Sequence, residues 1–297
     1  MDVSIIIVNY NTFEVTCNCL ASVFENTSGV SFEVIVVDNA SSEINPEKFI
    51  SRFPLIRLIK SKENLGFSGG NNLGIKHSRG SVLLLLNSDT ILINNAVKLA
   101  FEQLNSDKKI GCLTCSVLNL DKTPQGVLGR FPSIRQNLIS ICRIEKFVKR
   151  YHQDTYKLGD KFDYKTPQEG DWIWGTFFMF SRAVLNQFPN KKLHDDFFMY
   201  GEDLQWCMYI KQNLGLKVVF TPEPKIFHLH GASDTRKYIE KYKQWAFPNF
   251  VKTLRVLKSD TYAFFYVLTF VLQRLLVRGN SEVELSYYTQ QLRYFFK

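Results

Sequence analysis

Three groups of side chains in this 297-residue sequence have the types that chemistry needs. Asp38 follows the apolar run of "FEVIVVDNASS", and Asp89 follows that of "LLLLNSDT". Glu202 and Asp203 stand together in "FFMYGEDLQWC", and His228 and His230 lie two apart in "HLHGAS". A carboxylate at the tip of a buried strand suits Mg2+ or Mn2+, ions that favour oxygen and bridge phosphates. One placed like Asp38 suits the hydrogen-bond donors of a base or ribose. Both acids also suit a helix N-cap, because a helical stretch follows each. Glu202 and Asp203 fall in the first turn of a helix, where the dipole favours acids whatever their function.

The elements that must position these groups alternate. "VSIIIVNY" (3–10) and "FEVIVVD" are continuous runs rich in β-branched residues, the pattern of strands buried on both faces. A helical stretch lies between them, from about Thr12 to Asn26. "LIRLIKSKENLGFSGGNN" (55–72) reads as a shorter strand and then a loop rich in Gly and Asn, with a helix from about Asn71 to His77. "GSVLLLLNSDT", a helix over roughly Asn94–Asn105 and the strand "IGCLTCSVL" complete the first 118 residues. This alternation predicts an α/β fold with a mostly parallel sheet flanked by helices. Such sheets bind ligands at the carboxyl ends of their strands, which makes Asp38 and Asp89 neighbours on one rim. Residues 119–170 show no clear period and read as an insertion beside the site. "WIWGTFFMFS" (172–181) resumes strand composition, and "KVVFTPEPKIFHLHGAS" reads as a strand, a Pro-punctuated turn and the histidine pair.

Composition excludes several classes. Net charge is +9, yet Arg236–Lys297 carry eleven Lys or Arg against four Asp or Glu, leaving 26 against 24 for residues 1–235. The near-neutral main part argues against nucleic acid as a partner, and the basic tail argues for something anionic. "MDVSIIIV" is not the pattern of a secretory leader, so the six cysteines read as reduced thiols. Cys112 and Cys115 form one CxxC without a matching second pair, which disfavours zinc. No glycine-rich turn follows the first strand, where "NYNTFE" stands, and no Walker loop occurs. Dinucleotide-dependent hydride transfer and P-loop chemistry are therefore disfavoured.

"VSIIIVNYNT", "VIVVDNASS", "ENLGFSGGNNLG", "LLLLNSDT", "GTFFMFSR", "FFMYGEDLQWC" and "HLHGAS" occur in this order between about Val3 and Ser233. Together they resemble the inverting GT-A glycosyltransferases of family 2, particularly the rhamnosyltransferase-like members of bacterial surface polysaccharide synthesis. The resemblance implies a GT-A domain over 1–235, with a nucleotide-binding half (1–118) and an acceptor and catalytic half (119–235). A C-terminal helical extension, 236–297, follows. It implies that Tyr10, Asn11 and Asp38 meet the nucleotide base, and that Asn64, Gly66, Phe67, Gly69 and Asn71 line the nucleoside pocket. Asn87, Trp174 and Gly175 join the donor site. Asp89 would bind a divalent cation, Mg2+ or Mn2+, with His230 or His228 completing that region. Asp203 would be the catalytic base, with Glu202 beside it. The implied partners are a dTDP- or UDP-linked sugar, rhamnose among the candidates, and a saccharide or lipid-linked acceptor.

Three departures from the family pattern stand out: Gln205 and Tyr209 replace a frequent Asp and Arg, and Asn87 replaces the first Asp of the metal motif. The first two bear on acceptor preference. In the tail, "TYAFFYVLTFVLQRLLVR" (261–278) has an apolar run shorter than the roughly 20 residues of a spanning helix. Tyr262, Tyr266, Thr269 and Gln273 recur at helical spacing as a polar stripe. A helix lying in a membrane interface and a helix packed on protein both fit. The expected location is cytoplasmic, peripheral on the inner face of the membrane. Two other readings are a nucleotidyltransferase that makes the sugar nucleotide, and a non-catalytic nucleotide-sugar-binding protein. The first of these lacks the Gly-rich triphosphate loop it would need after the first strand.

Overall fold

The computed structural model describes residues 1–144, 147, 164–229, 240, 242–276, 285–293 and 295. The chain divides into two compact units, Met1–Leu128 with Asp163–Gly231, and Gly129–Phe162 with Ala232–Lys297. Helix Ile134–Ile141, in the stretch read from sequence as part of the catalytic half, belongs to the second unit.

The first unit is built on a nine-stranded sheet. Its strands are β1 (Val3–Asn9), β2 (Phe32–Asp38), β3 (Arg57–Lys60), β4 (Val82–Leu86), β5 (Thr90–Leu92), β6 (Ile110–Leu118), β7 (Gln168–Gly170), β8 (Phe177–Ser181) and β9 (Lys217–His228). Their order is β3-β2-β1-β4-β8-β6-β9-β5, with β7 also paired to β9. β1, β2, β3 and β4 run parallel, and β6 and β9 run parallel to each other. β8 enters antiparallel between β4 and β6, so the sheet is mixed. Val82–Leu86 are all buried, as the unbroken leucine run requires. α1 (Phe13–Asn26), α2 (Gly66–Lys76) and α3 (Ala96–Ser106) are the long helices of this unit.

α2 begins five residues earlier than its composition suggests. Glycine disfavours helices, and "GFSGGNN" reads as a loop on that ground. Packing overrides the propensity: a Cβ on Gly74 would lie 2.5 Å from Ile6 Cγ2, and one on Gly70 2.9 Å from Val8 Cγ1. The glycines let this helix approach β1 closely. The "TPEP" segment, read as a turn, lies inside β9 as a register irregularity between Phe220 and Lys225. Cys112 and Cys115 are buried free thiols in β6, and three residues apart on a strand they face opposite sides.

The second unit holds α4 (Ile134–Ile141), α5 (Phe247–Leu257), α6 (Asp260–Leu276) and α7 (Leu285–Arg293). Phe247, Val251, Leu254, Ala263, Tyr266, Val267, Val271 and Tyr288 form its core. The polar stripe of α6 is turned toward α4. Tyr262 Oη accepts from Ile134 N at 3.4 Å, and Asn137 Nδ2 donates to Thr269 Oγ1 at 3.1 Å and to the Tyr266 carbonyl at 3.4 Å. These polar groups find partners on α4 that sequence spacing does not reveal. No helix among the described residues is long and apolar enough to cross a membrane.

Replacing Gly74 by Val should cost about 1–3 kcal/mol, because overpacking forces α2 off β1. Urea denaturation of the variant and the parent measures this.

Candidate active site

The site is assembled at the carboxyl ends of the strands. Asp38, last in β2, pairs in register with Asn9, last in β1. Asn9 Nδ2 donates to Asp38 Oδ1 at 2.9 Å and to Ser41 Oγ at 3.0 Å, while Thr12 and Thr16 hydroxyls donate to Asn9 Oδ1. Ser41 N donates to Asp38 Oδ2 at 3.2 Å. Asp38 is thus a buried, fully oriented carboxylate and not a helix cap. Asn11 has a left-handed φ of 53°, and its Oδ1 accepts from the amides of Ser42 and Glu43, so it clamps the loop after β2. Tyr10 beside it is 48% exposed, a ring held at the rim with a free face.

Asn39 ties this corner to α2. Its Nδ2 donates to Asn64 Oδ1 at 2.9 Å and to the Gly66 carbonyl at 3.1 Å, and its Oδ1 accepts from Leu65 N. Asn64 Oδ1 also accepts from Gly66 N. Gly66 has φ of 70°, and a Cβ there would meet the Phe198 carbonyl oxygen at 2.1 Å, so only glycine fits. Phe67 N donates to that same carbonyl at 3.0 Å. The Phe67 ring stacks on Trp206 with centroids 6.0 Å apart and lies against Gly175. Of the other residues expected at the pocket, Asn71 is buried with its amide on the Phe67 carbonyl, and a Cβ on Gly69 would meet Leu65 Cβ at 2.8 Å.

Asp203 joins this cluster through Gly175, against which the Phe67 ring lies. Left-handed Tyr200 (φ 65°) and Gly201 (φ 99°) turn the chain into the Glu202–Met208 helix. Asp203 Oδ2 accepts from Gly175 N at 3.2 Å and Oδ1 from Leu204 N at 2.8 Å. Each oxygen retains acceptor capacity. Gly175 sits in the turn Trp174–Thr176, and Trp174 N is tied to the Val127 carbonyl. Burial pushes the Asp203 carboxyl above the ordinary aspartate range, against the pull of those two amides. Glu202 is displaced further upward, by burial first and then by the Asp203 charge. Its Oε2 is buried with no partner among the described residues.

A third cluster holds Asp89. Antiparallel pairing of β9 with β5 sets His228 opposite Thr90, and His228 Nε2 comes 3.2 Å from Asp89 Oδ1. His228 Nδ1 lies 2.9 Å from Gln125 Oε1. Gln125 Nε2 donates to the His228 carbonyl and to Asn119 Oδ1, so its Oε1 is left as acceptor. Nδ1 therefore donates to Gln125, and Nε2 faces the Asp89 carboxylate. An imidazole nitrogen plus a carboxylate is a donor set that a divalent cation fits. Among the described residues, no group of three His, Cys, Asp or Glu side chains converges on one point. Asn87 Oδ1, at the start of the same turn, is buried without a partner among the described residues. His230 lies outside the described residues.

Sequence reading missed Asn9, Asn39, Gln125 and Trp206. Asn39 adjoins Asp38 in the quoted "VVDN", so adjacency was its signal. Gln125 lies 103 positions from His228 in a stretch without periodicity and had none. The two departures in the helix are occupied structurally. Gln205 Nε2 bonds Asp196 at 2.7 Å, and Tyr209 packs between Phe188 and His194 with its hydroxyl on the Gln187 carbonyl.

A mixed sheet of this order with a carboxylate-and-glycine rim is the GT-A fold. The chain aligns with a mannosyltransferase, PcManGT, from Pyrobaculum calidifontis in complex with GDP-Man and Mn2+ at a TM-score of 0.61, covering 99% of this chain and 84% of that one at 14% identity. It aligns with GalNAc-T7 with UDP, GalNAc and Mn2+ at a TM-score of 0.63, over 98% and 55% of the two chains and 16% identity. Residues 4–188 match Glycosyl transferase family 2, and the chain belongs to that family. It is 36% identical over 231 residues to an uncharacterized glycosyltransferase, YfnE, of Bacillus subtilis, covering 73% of this chain and 53% of that protein. The low-salt glycan biosynthesis hexosyltransferase Agl10 of Haloferax volcanii is 28% identical over 217 residues, 69% of this chain and 60% of its own. The chain thus spans little more than half the length of these relatives.

Glu202 binds its proton more tightly in the folded protein than in the unfolded chain. Stability therefore falls as pH rises from the ordinary glutamate range through the raised folded value. Glu202→Gln should remove its share of that fall and leave the smaller one that the raised Asp203 carboxyl causes, so the melting temperature should decline less than the parent's between about pH 5 and pH 8.

Proposed function

We propose that this chain is a metal-dependent inverting glycosyltransferase of cell-surface polysaccharide synthesis. In this reading it moves rhamnose or another hexose from a dTDP- or UDP-linked donor to a saccharide or lipid-linked saccharide. The observation that carries the proposal is Asp203, half-buried, aimed by the Gly175 and Leu204 amides and raised in pKa. A carboxylate so tuned accepts a proton near neutral pH better than an ordinary aspartate does.

The acceptor hydroxyl gives its proton to Asp203 as its oxygen bonds to the anomeric carbon. On the opposite face, the bond from that carbon to the diphosphate oxygen breaks and its electron pair leaves with the nucleotide. One in-line displacement inverts the centre and requires no protein nucleophile. Asp38 accepts from the base, Tyr10 covers it, and Asn64, Gly66 and Phe67 wall the nucleoside. Asp89 and His228 would hold a divalent cation, Mg2+ or Mn2+. When bound, the cation supplies positive charge for the departing diphosphate. Mn2+ beside UDP or GDP-Man in the structural neighbours supports this, as does the glycan biosynthesis role of Agl10. In this reading a lipid-linked acceptor would bring the enzyme to the cytoplasmic face of a membrane, with the C-terminal helices as the contact.

Asp203→Asn should lower transfer by about 10²–10⁴-fold, while thermal stabilisation by UDP or dTDP persists. Transfer at the parental rate would remove Asp203 as the base. Asp89→Asn should abolish the added stabilisation that Mn2+ gives in the presence of nucleotide. A Mn2+ response equal to the parent's would remove Asp89 as a ligand.

A further inference from the structure

We propose that the outward face of α4 and α6 in the second unit docks on an anionic lipid bilayer. The inference rests on the membrane-proximal acceptor reading above and supplies the surface and lipid charge that the reading lacks. α6 is apolar on two sides: Ala263, Val267 and Val271 pack in the core of the unit, and a second apolar side faces solvent. Its polar atoms at Tyr262 and Thr269 are spent on α4, as described, while its solvent side is apolar. Phe265 is 49% exposed, Leu272 39%, Leu275 54% and Leu276 58%, and Leu138 of α4 is 47% exposed. Between the two helices runs an open groove of about 550 Å³ lined by Ile134, Leu138, Tyr262 and Phe265. Clustered exposed apolar side chains on a helical pair mark an interaction surface.

Charge decides the occupant. The segments of the second unit carry nineteen Lys and Arg against eight Asp and Glu, whereas the first unit carries 18 against 20. The whole basic surplus of the chain therefore belongs to the unit that bears the apolar face. Arg143 donates to the Leu276 carbonyl at 3.3 Å, which puts a guanidinium at the edge of that face. A second copy of this unit would bring equal positive charge against it. A leaflet of anionic headgroups is drawn in by that charge, and its acyl region accepts the leucines and Phe265. Interfacial helices combine apolar insertion with basic flanks in this way.

The test is co-sedimentation of the full chain with phosphatidylcholine vesicles, with and without phosphatidylglycerol. The chain should bind the phosphatidylglycerol vesicles, bind pure phosphatidylcholine far less, and release as salt rises. The double variant Leu272→Glu with Leu275→Glu should lose at least about tenfold in partitioning. Both positions are exposed, and unchanged nucleotide-induced thermal stabilisation certifies the fold. Equal partitioning of variant and parent would overturn the assignment. So would vesicle binding by neither protein, or a parent dimer that the variant splits into monomers without any lipid affinity, which would give the face to a second copy. None of these outcomes touches the transferase reading, which stands or falls with Asp203 and donor turnover.

Discussion

β1, β2 and β4 lie side by side with both faces covered, and a strand so covered has no room for a charge within its length. An unpaired ion there would cost far more than any single packing contact returns. Apart from Ser4 and Glu33, which bond each other near the amino ends of β1 and β2, polar groups appear only at the carboxyl ends, where water or ligand begins. That is where Asn9, Asp38 and, after the turn from β4, Asp89 are found. The dryness of the strands thus fixes the location of the chemistry. Rigidity follows from the same cause, since residues locked on both sides cannot swing their terminal side chains. Asn9 and Asp38, paired across two such ends, need only short hydrogen bonds to hold one geometry.

Much of this was legible in the sequence because it is local. The apolar runs announce the strands, and the acids at their ends announce the rim. Glu202 and Asp203 were readable as a pair at a helix start, although not the two left-handed residues before them that aim the helix. What resisted reading depends on distant partners. α2 looks like a loop until β1 is set against its glycines. β8 reads only as a segment of strand composition, and pairing with β4 and β6 reveals its reversed direction. Gln125 carries no local mark at all, since its role exists only once β9 brings His228 to it.

The second unit shows the same limit from the other side. Periodicity locates the polar positions of α6 and leaves their surroundings open. A stripe of Tyr and Thr is as good a lining for a neighbouring helix bearing an Asn as it is for water. Asn137 and the Ile134 amide take up that stripe while Ala263, Val267 and Val271 pack in the core, so a second apolar side of the helix is left on the surface. An amphipathic pattern is symmetric in this respect: it divides a helix into two faces without saying which is turned inward.

The Phe198 carbonyl makes one more property of the first unit intelligible. It receives the Phe67 amide and presses on Gly66 from the segment just ahead of Glu202, while the Phe67 ring rests on Gly175, which bonds Asp203. The Gly66–Phe67 turn, the proposed wall of the donor pocket, and the mounting of the Asp203 carboxylate are therefore one piece of structure, not two modules hinged together. Grafting the first hundred residues of a relative onto this chain, to change which nucleotide it uses, would sever that joint unless the Phe198 loop travelled with the graft. Recombination among such proteins should respect seams that skirt this contact, so that the Gly66–Phe67 turn and the Asp203 mounting are inherited together.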